Sequence, residues 1–210
     1  MASFLNTSHT AESRAELPSH VTKWQVIAVL HDPEGILSLN PIIKSYVVLP
    51  PASSVSFYQN VVNELKPSTR AEIEKTRVFS VIEGSGDSKG EDGDTWRGGW
   101  AQMFVPDQIS YETSYQQRDG GAVAITHAPM GVRSVTHWSV EEIEGRLMIA
   151  VKLVVTSNRM LMGFIKTTLQ ASINQLSGDF VKAMDKKAGE RAKDESTAEV
   201  QAIEKAKAES

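Results

Sequence analysis

The chain has 210 residues, 40% of them hydrophobic, with 22 Lys and Arg against 26 Asp and Glu for a formal net charge of −4. That length and apolar share suit one sizeable core plus a tail, and the acidic balance, with Lys and Arg scattered, excludes an overall basic field for nucleic acid. There is no cysteine, which excludes disulfides and thiolate metal sites and suits a reducing compartment.

Residues 1–9 carry neither the basic segment nor the apolar segment of a secretory signal. No apolar run approaches the roughly 18 residues that span a bilayer. A cytoplasmic protein with no stable membrane insertion is expected, and the sequon Asn6-Thr7-Ser8 is read as chance. Residues 3–11 are polar and rich in Ser and Thr and are expected as an edge strand, with a charged connection over 12–18. Ser19 is read as the N-cap of a helix over 20–31, with Val21, Trp24, Ile27, Ala28 and Leu30 at helical spacing. Pro33 starts a second short helix through Ile36 and Leu37, which Asn40-Pro41 ends.

Residues 42–49 read as a strand, 50–54 as a turn, and 55–65 as a further strand with Phe57, Val61 and Leu65 in phase. A polar excursion follows over 66–76, with one helical turn around Ala71–Glu74, and then a strand over 77–82. The Gly-rich stretch 83–95 is a surface loop by composition. Strands are expected over 100–105 and 108–117, interrupted at Pro106, with Ile109, Tyr111, Thr113 and Tyr115 on one face. Asp119-Gly120-Gly121 marks a hairpin, followed by strands over 122–128, 132–144 and 146–156, the last two joined at Glu144-Gly145.

Asn158 begins the strongest periodic segment, a helix to about Lys187 with Met162, Ile165, Leu169, Ile173, Leu176, Phe180 and Met184 at steps of three and four. Residues 1–187 are therefore read as one domain. Residues 188–210 are read as a charged Ala/Lys/Glu-rich tail, helical or disordered, that cannot bury a core.

Successive strands joined by short turns make an antiparallel sheet. One helix across a bent sheet cannot fill the space beneath it, so an apolar hollow is expected between them. The fold class is α+β: a curved antiparallel sheet around one long C-terminal helix, with two short helices after the first strand. This order resembles the helix-grip superfamily of START, plant pathogenesis-related and polyketide-cyclase-like proteins. More narrowly, Val29–Asp32 through Ile36, Leu39-Asn40-Pro41, Ala128–Val132 and Asn158–Phe164 resemble an uncharacterised filamentous-fungal family, over roughly residues 3–186. The resemblance implies a hydrophobic, often ring-bearing ligand in the hollow and a place in secondary metabolism; it implies no particular reaction.

Candidate catalytic residues are His137, His127 and Tyr111. His137 facing the hollow beside Tyr111 or Tyr115 would be a general base for an acidic carbon; the plainer reading is a core or rim histidine. Alternation puts His137 and Trp138 on opposite faces, and Trp138 suits the interior better. Candidate ligand contacts are Tyr115, Trp138, Met162, Ile165, Leu169 and Ile173. An inward Arg133 or Lys152 would bind a carboxylate or enolate oxygen, against an ordinary solvated side chain. One or two of Tyr46, Tyr58, Tyr111 and Tyr115 would hydrogen-bond a ligand or buried water. His31 and Asp32 admit a charge-relay reading beside a turn-forming one. The Gly-rich loop lacks the Gly-Lys-Ser/Thr of a phosphate cradle, and Asp87, Glu91, Asp92 and Asp94 do not match a calcium loop. No metal and no cofactor are expected.

Two functions follow: binding of a lipid, polyketide or other secondary metabolite, or a cyclase, isomerase or dehydratase acting in the same hollow. A third, a protein-interaction module, rests on the charged tail alone. The expected partner is a hydrophobic small molecule, with no nucleic acid, and the chain is expected as a monomer or homodimer.

Overall fold

A computed structural model describes residues 6–40, 43–84 and 108–208 of the chain, the last of these as backbone only beyond residue 189. Among these residues seven strands form one antiparallel sheet: β1 (Asn6–Glu16), β2 (Ile43–Val48), β3 (Val78–Gly84), β4 (Gln108–Arg118), β5 (Gly121–His127), β6 (Arg133–Ile143) and β7 (Arg146–Asn158). Their order is β1-β7-β6-β5-β4-β3-β2. The helices are α1 (Lys23–Leu30), α2 (Pro33–Leu39), α3 (Pro51–Gln59), α4 (Arg70–Lys75) and α5 (Arg159–Ala208). The α+β helix-grip arrangement expected from the sequence is the one observed. The Gly-rich loop beyond Gly84 and the strand expected over 100–105 lie outside the described residues.

Three element boundaries differ from the sequence reading, each for a local reason. β1 continues through the stretch expected as a connection, because Glu12, Arg14 and Glu16 alternate with Ala11, Ser13 and Ala15 and meet Lys152, Glu141 and Arg146 on the neighbouring strands. Thr22, not Ser19, caps α1: the Gln25 N–H donates to Thr22 Oγ1 at 3.3 Å and the Thr22 N–H to Gln25 Oε1 at 2.8 Å. The turn and strand expected over 50–65 are instead α3, entered through Pro51, and a 3-10 turn over Asn63–Leu65. Asn158 does cap the long helix, its Oδ1 accepting from the Leu161 N–H at 2.9 Å. That helix runs on past residue 187 to Ala208.

The sheet has two unlike faces. On the inner face α5 lies over β1 and β7, pinned by Ser13 Oγ to Ser177 Oγ at 2.7 Å and by Gln170 Nε2 donating to Glu12 O at 2.9 Å. Met162, Ile165, Leu169, Ile173, Phe180 and Met184 are buried there against Trp138, Val140, Ile149, Val151 and Val155. The apolar face of the long helix is thus turned to the sheet, where each such side chain contributes about 1.5–3 kcal/mol. Val26, Ile27, Val29 and Leu30 of α1 extend the same core.

On the outer face Phe57, Tyr58 and Val61 cover Val78, Val123 and Ile125. A buried polar chain fixes this layer: Gln116 Nε2 donates to Tyr58 Oη (3.0 Å), Tyr58 to Ser114 Oγ (2.9 Å), and Ser114 to Arg77 O (3.1 Å). The remaining outer surface, on β1, β7 and the far end of β6, carries the ion pairs named above. No helix among the described residues is long and apolar enough to cross a membrane.

Candidate ligand-binding site

Beyond the reach of α5, the inner face of β2, β3 and β4 is a wall of rings. Register sets Tyr46 beside Val81, Val81 beside Tyr111, and Phe79 beside Val48 and Thr113. Tyr46 meets the Phe79 ring edge-on at 6.1 Å, and Phe79 meets Tyr115 at 6.3 Å. Leu37 of α2 closes on Phe79 and Val81. Tyr46, Tyr111 and Tyr115 keep part of their surface exposed while Phe79 and Val81 are fully buried.

One carboxylate sits on this wall. Tyr111 Oη donates to Glu83 Oε1 at 2.6 Å, and Asn40 Nδ2, at the end of α2, reaches the same oxygen at 3.4 Å. Burial, then the Glu83 charge, pushes the Tyr111 phenol far above its ordinary pKa. Burial does the same at Tyr115, with a lesser push from Glu83 against the Thr113 hydrogen bond. Both phenols therefore stay protonated at neutral pH and act as donors, and the acceptor among them is the carboxylate.

The middle of the inner face is built from short side chains. One cross-strand row runs Thr113, Thr126, Ser134, and the next runs Tyr115, Ala124, Thr136, Leu153. Thr126, Ser134, Thr136 and Leu153 remain partly exposed although they point to the helix side of strands in the middle of the sheet. Space therefore remains between these rows and the elements facing them.

A family profile covers residues 6–186, from the first residue of β1 into α5. The chain belongs to DUF7053, a family described as a domain of unknown function. No curated protein matches the sequence. Among solved structures, the di-domain ARO/CYC StfQ from the steffimycin biosynthetic pathway superposes with a TM-score of 0.51 at 11% identity, over 90% of this chain and 52% of that one. This DUF7053 chain thus spans about half the length of that protein. Ara h 8.0201 gives 0.43 at 14% identity, over 84% of this chain and 99% of that chain. The Zhui aromatase/cyclase from Streptomyces sp. R1128 gives 0.45 at 11%, over 89% and 96%. At such identities the likeness is one of fold.

Within this DUF7053 fold the residues singled out from sequence separate into three groups. Tyr111 and Tyr115 stand together on the ring wall. Trp138, Met162, Ile165, Leu169 and Ile173 all point inward, but Trp138 packs on Phe180 at 5.3 Å, beneath the later turns of α5 and two strands away from Tyr111. The two histidines lie on the outer face, which corrects the expectation of an inward His137 beside Tyr111. The pleat that turns Trp138 inward turns His137 outward, where it sits opposite Lys152. Its pKa is lowered by partial burial, then by the Lys152 and Arg118 charges. His127 stacks on Phe57 at 4.2 Å, its pKa lowered by burial and then by Arg133.

Arg133 and Lys152 also face outward, to Asn60 O at 2.9 Å and to Glu12 at 2.9 Å, so neither is an inward anion partner. Tyr58 belongs to the outer layer. His31 bridges Arg118 O (2.9 Å) and Gly121 O (3.1 Å) from its Nε2. Two carbonyl acceptors require a proton on that nitrogen, so His31 tethers the β4–β5 hairpin and is no relay. Sequence reasoning missed Glu83 and Asn40. The signal for Glu83 was present, since it continues the alternation of Phe79 and Val81.

Proposed function

We propose that this DUF7053 domain binds a hydrophobic small molecule between the inner face of its sheet and the helices α2 and α5. The observation that carries this reading is the combination of short, partly exposed inner-face side chains with the ring wall of Tyr46, Phe79, Tyr111 and Tyr115 beside them. Such a surface takes a flat or chain-like apolar body. Glu83, its carboxylate held by the single Tyr111 hydroxyl proton, supplies an acceptor that orients a ligand hydroxyl on it. A lipid, a polyketide or another secondary metabolite has this character, and the resemblance to filamentous-fungal proteins supports that setting.

Purified protein denatured in organic solvent and examined by mass spectrometry is expected to release an apolar molecule. Saturable uptake of the neutral dye N-phenylnaphthylamine is expected of the emptied protein. Absence of both overturns the reading.

The Glu83–Tyr111 pair favours a second reading, in which the same molecule is a substrate for cyclisation, isomerisation or dehydration. With the histidines outside, Glu83 is the group placed to take a proton, its carboxylate positioned by the Tyr111 hydroxyl. Glu83→Gln would then abolish conversion of the recovered molecule while leaving its affinity within a few-fold. Equal conversion by the variant removes the catalytic reading and leaves the binding one.

A further inference from the structure

A second recess lies on the opposite side of the ring wall from the Glu83 carboxylate, at the hairpin end of β4. It has a volume of about 660 Å³ and opens between the α1–α2 junction and α4. Four cations line it, Lys66, Lys75, Arg77 and Arg118, against one carboxylate, Glu72. Arg77 is already engaged, paired with Glu34 and lying 5.0 Å over the Phe79 ring. The Glu72 carboxylate is engaged too, accepting from the Thr69 N–H at 3.0 Å in the capping box of α4. Lys66, Lys75 and Arg118 have no ion-pair partner among the described residues.

Arg118 is nonetheless held in place. Its Nη2 donates to Gln116 Oε1 at 2.6 Å, and Gln116 is fixed in turn by donating to Leu65 O at 2.6 Å and to Tyr58. A guanidinium positioned by an amide keeps its full charge and further N–H donors for an incoming anion. Beside the polar His31, Ser68, Thr76, Gln116 and Gln117, the lining holds the apolar Pro33, Pro67 and the Tyr115 ring.

We propose that this recess is a binding site for an anionic amphiphile of small-molecule size. Its carboxylate or sulfonate is held by Lys66, Lys75 and Arg118, and its ring or chain lies against Pro33, Pro67 and Tyr115. The site is separate from the Glu83–Tyr111 end of the wall and shares only Tyr115 with the ring wall, so either can hold without the other.

Two dyes with one skeleton test it on the full chain: anilinonaphthalene sulfonate, which carries the anion, and N-phenylnaphthylamine, which does not. The sulfonate dye is expected to bind at least about fivefold more tightly. The triple variant Lys66→Gln, Lys75→Gln, Arg118→Gln is expected to lose that preference and to leave the neutral dye unchanged. Lys182→Gln, on the exposed side of α5, is expected to keep it. If the triple variant does not fold, raising salt from about 0.05 to about 0.5 M on the unaltered protein must weaken the sulfonate dye several-fold and spare the neutral one. An unchanged preference in the folded variant, or a salt-independent affinity, overturns the site. Loss of neutral-dye uptake alone would count against the inner hollow and not against this recess.

Discussion

His127 carries a stability consequence that follows from its surroundings. Its folded pKa lies below the ordinary 6.5 because it is wedged beneath Phe57 beside Arg133. Above that ordinary value it is neutral in both states and contributes no pH dependence. As pH falls below it, the unfolded chain takes up the proton first, so stability declines until the lower folded pKa is passed. Urea midpoints at about pH 7.5 and about pH 5.5 should therefore differ less in His127→Gln than in the parent. An unchanged difference would show that the ring is not shielded. Gly121 gives a steric counterpart: a Cβ there would lie 1.9 Å from the Trp138 carbonyl oxygen. Both atoms are fixed by the β5–β6 ladder, so Gly121→Ala should destabilise by roughly 2–3 kcal/mol, read from chemical unfolding. Single residues were legible in the sequence where alternation decided them. Alternation puts Tyr111 and Tyr115 on one face and favours Trp138 over His137 for the interior, and the same rule, carried one residue past Ile82 to Glu83, identifies the carboxylate.

At the scale of elements, the instructive departure is α3. Phe57, Val61 and Leu65 are spaced by four, and a spacing of four keeps one face in a helix and in a strand alike. The hydrophobic pattern could not separate the two, and the Pro50-Pro51 entry, which starts a helix as readily as a turn, decided it. The element's weight is testable. Phe57 is 3% exposed between the sheet and Tyr58, so Phe57→Ala should cost about 3–5 kcal/mol in unfolding free energy. A loss under about 1 kcal/mol would mean that the outer layer is loosely docked. The cap of α1 was misplaced at Ser19, although Thr22 and Gln25 carry the box motif, and Thr22→Ala should cost about 1 kcal/mol. The Glu83–Asn40 contact was not, because it joins α2 to β3 across 43 positions and depends on the packing of Leu37.

At the scale of the molecule, the order of strands and the single apolar stripe of α5 were enough to expect a helix gripped by a sheet. What they did not disclose is that helices cover both faces. The backbone of the long helix continues some 20 residues past Ala188 to Ala208, roughly 30 Å at 1.5 Å per residue. We expect a chain ending at residue 188 to unfold cooperatively at an unchanged midpoint and to take up neutral dye as the full chain does. A lowered midpoint would give the extension a part in stability. The outer layer has a different consequence. Val78, directly behind the Phe79 stretch of the ring wall, is clamped from the rear by Phe57 and Tyr58. A sheet backed in this way cannot bow outward to admit a bulkier guest. Adjustment to a guest must therefore come from the helical side, through α2, and molecules should be sorted by thickness more sharply than by length.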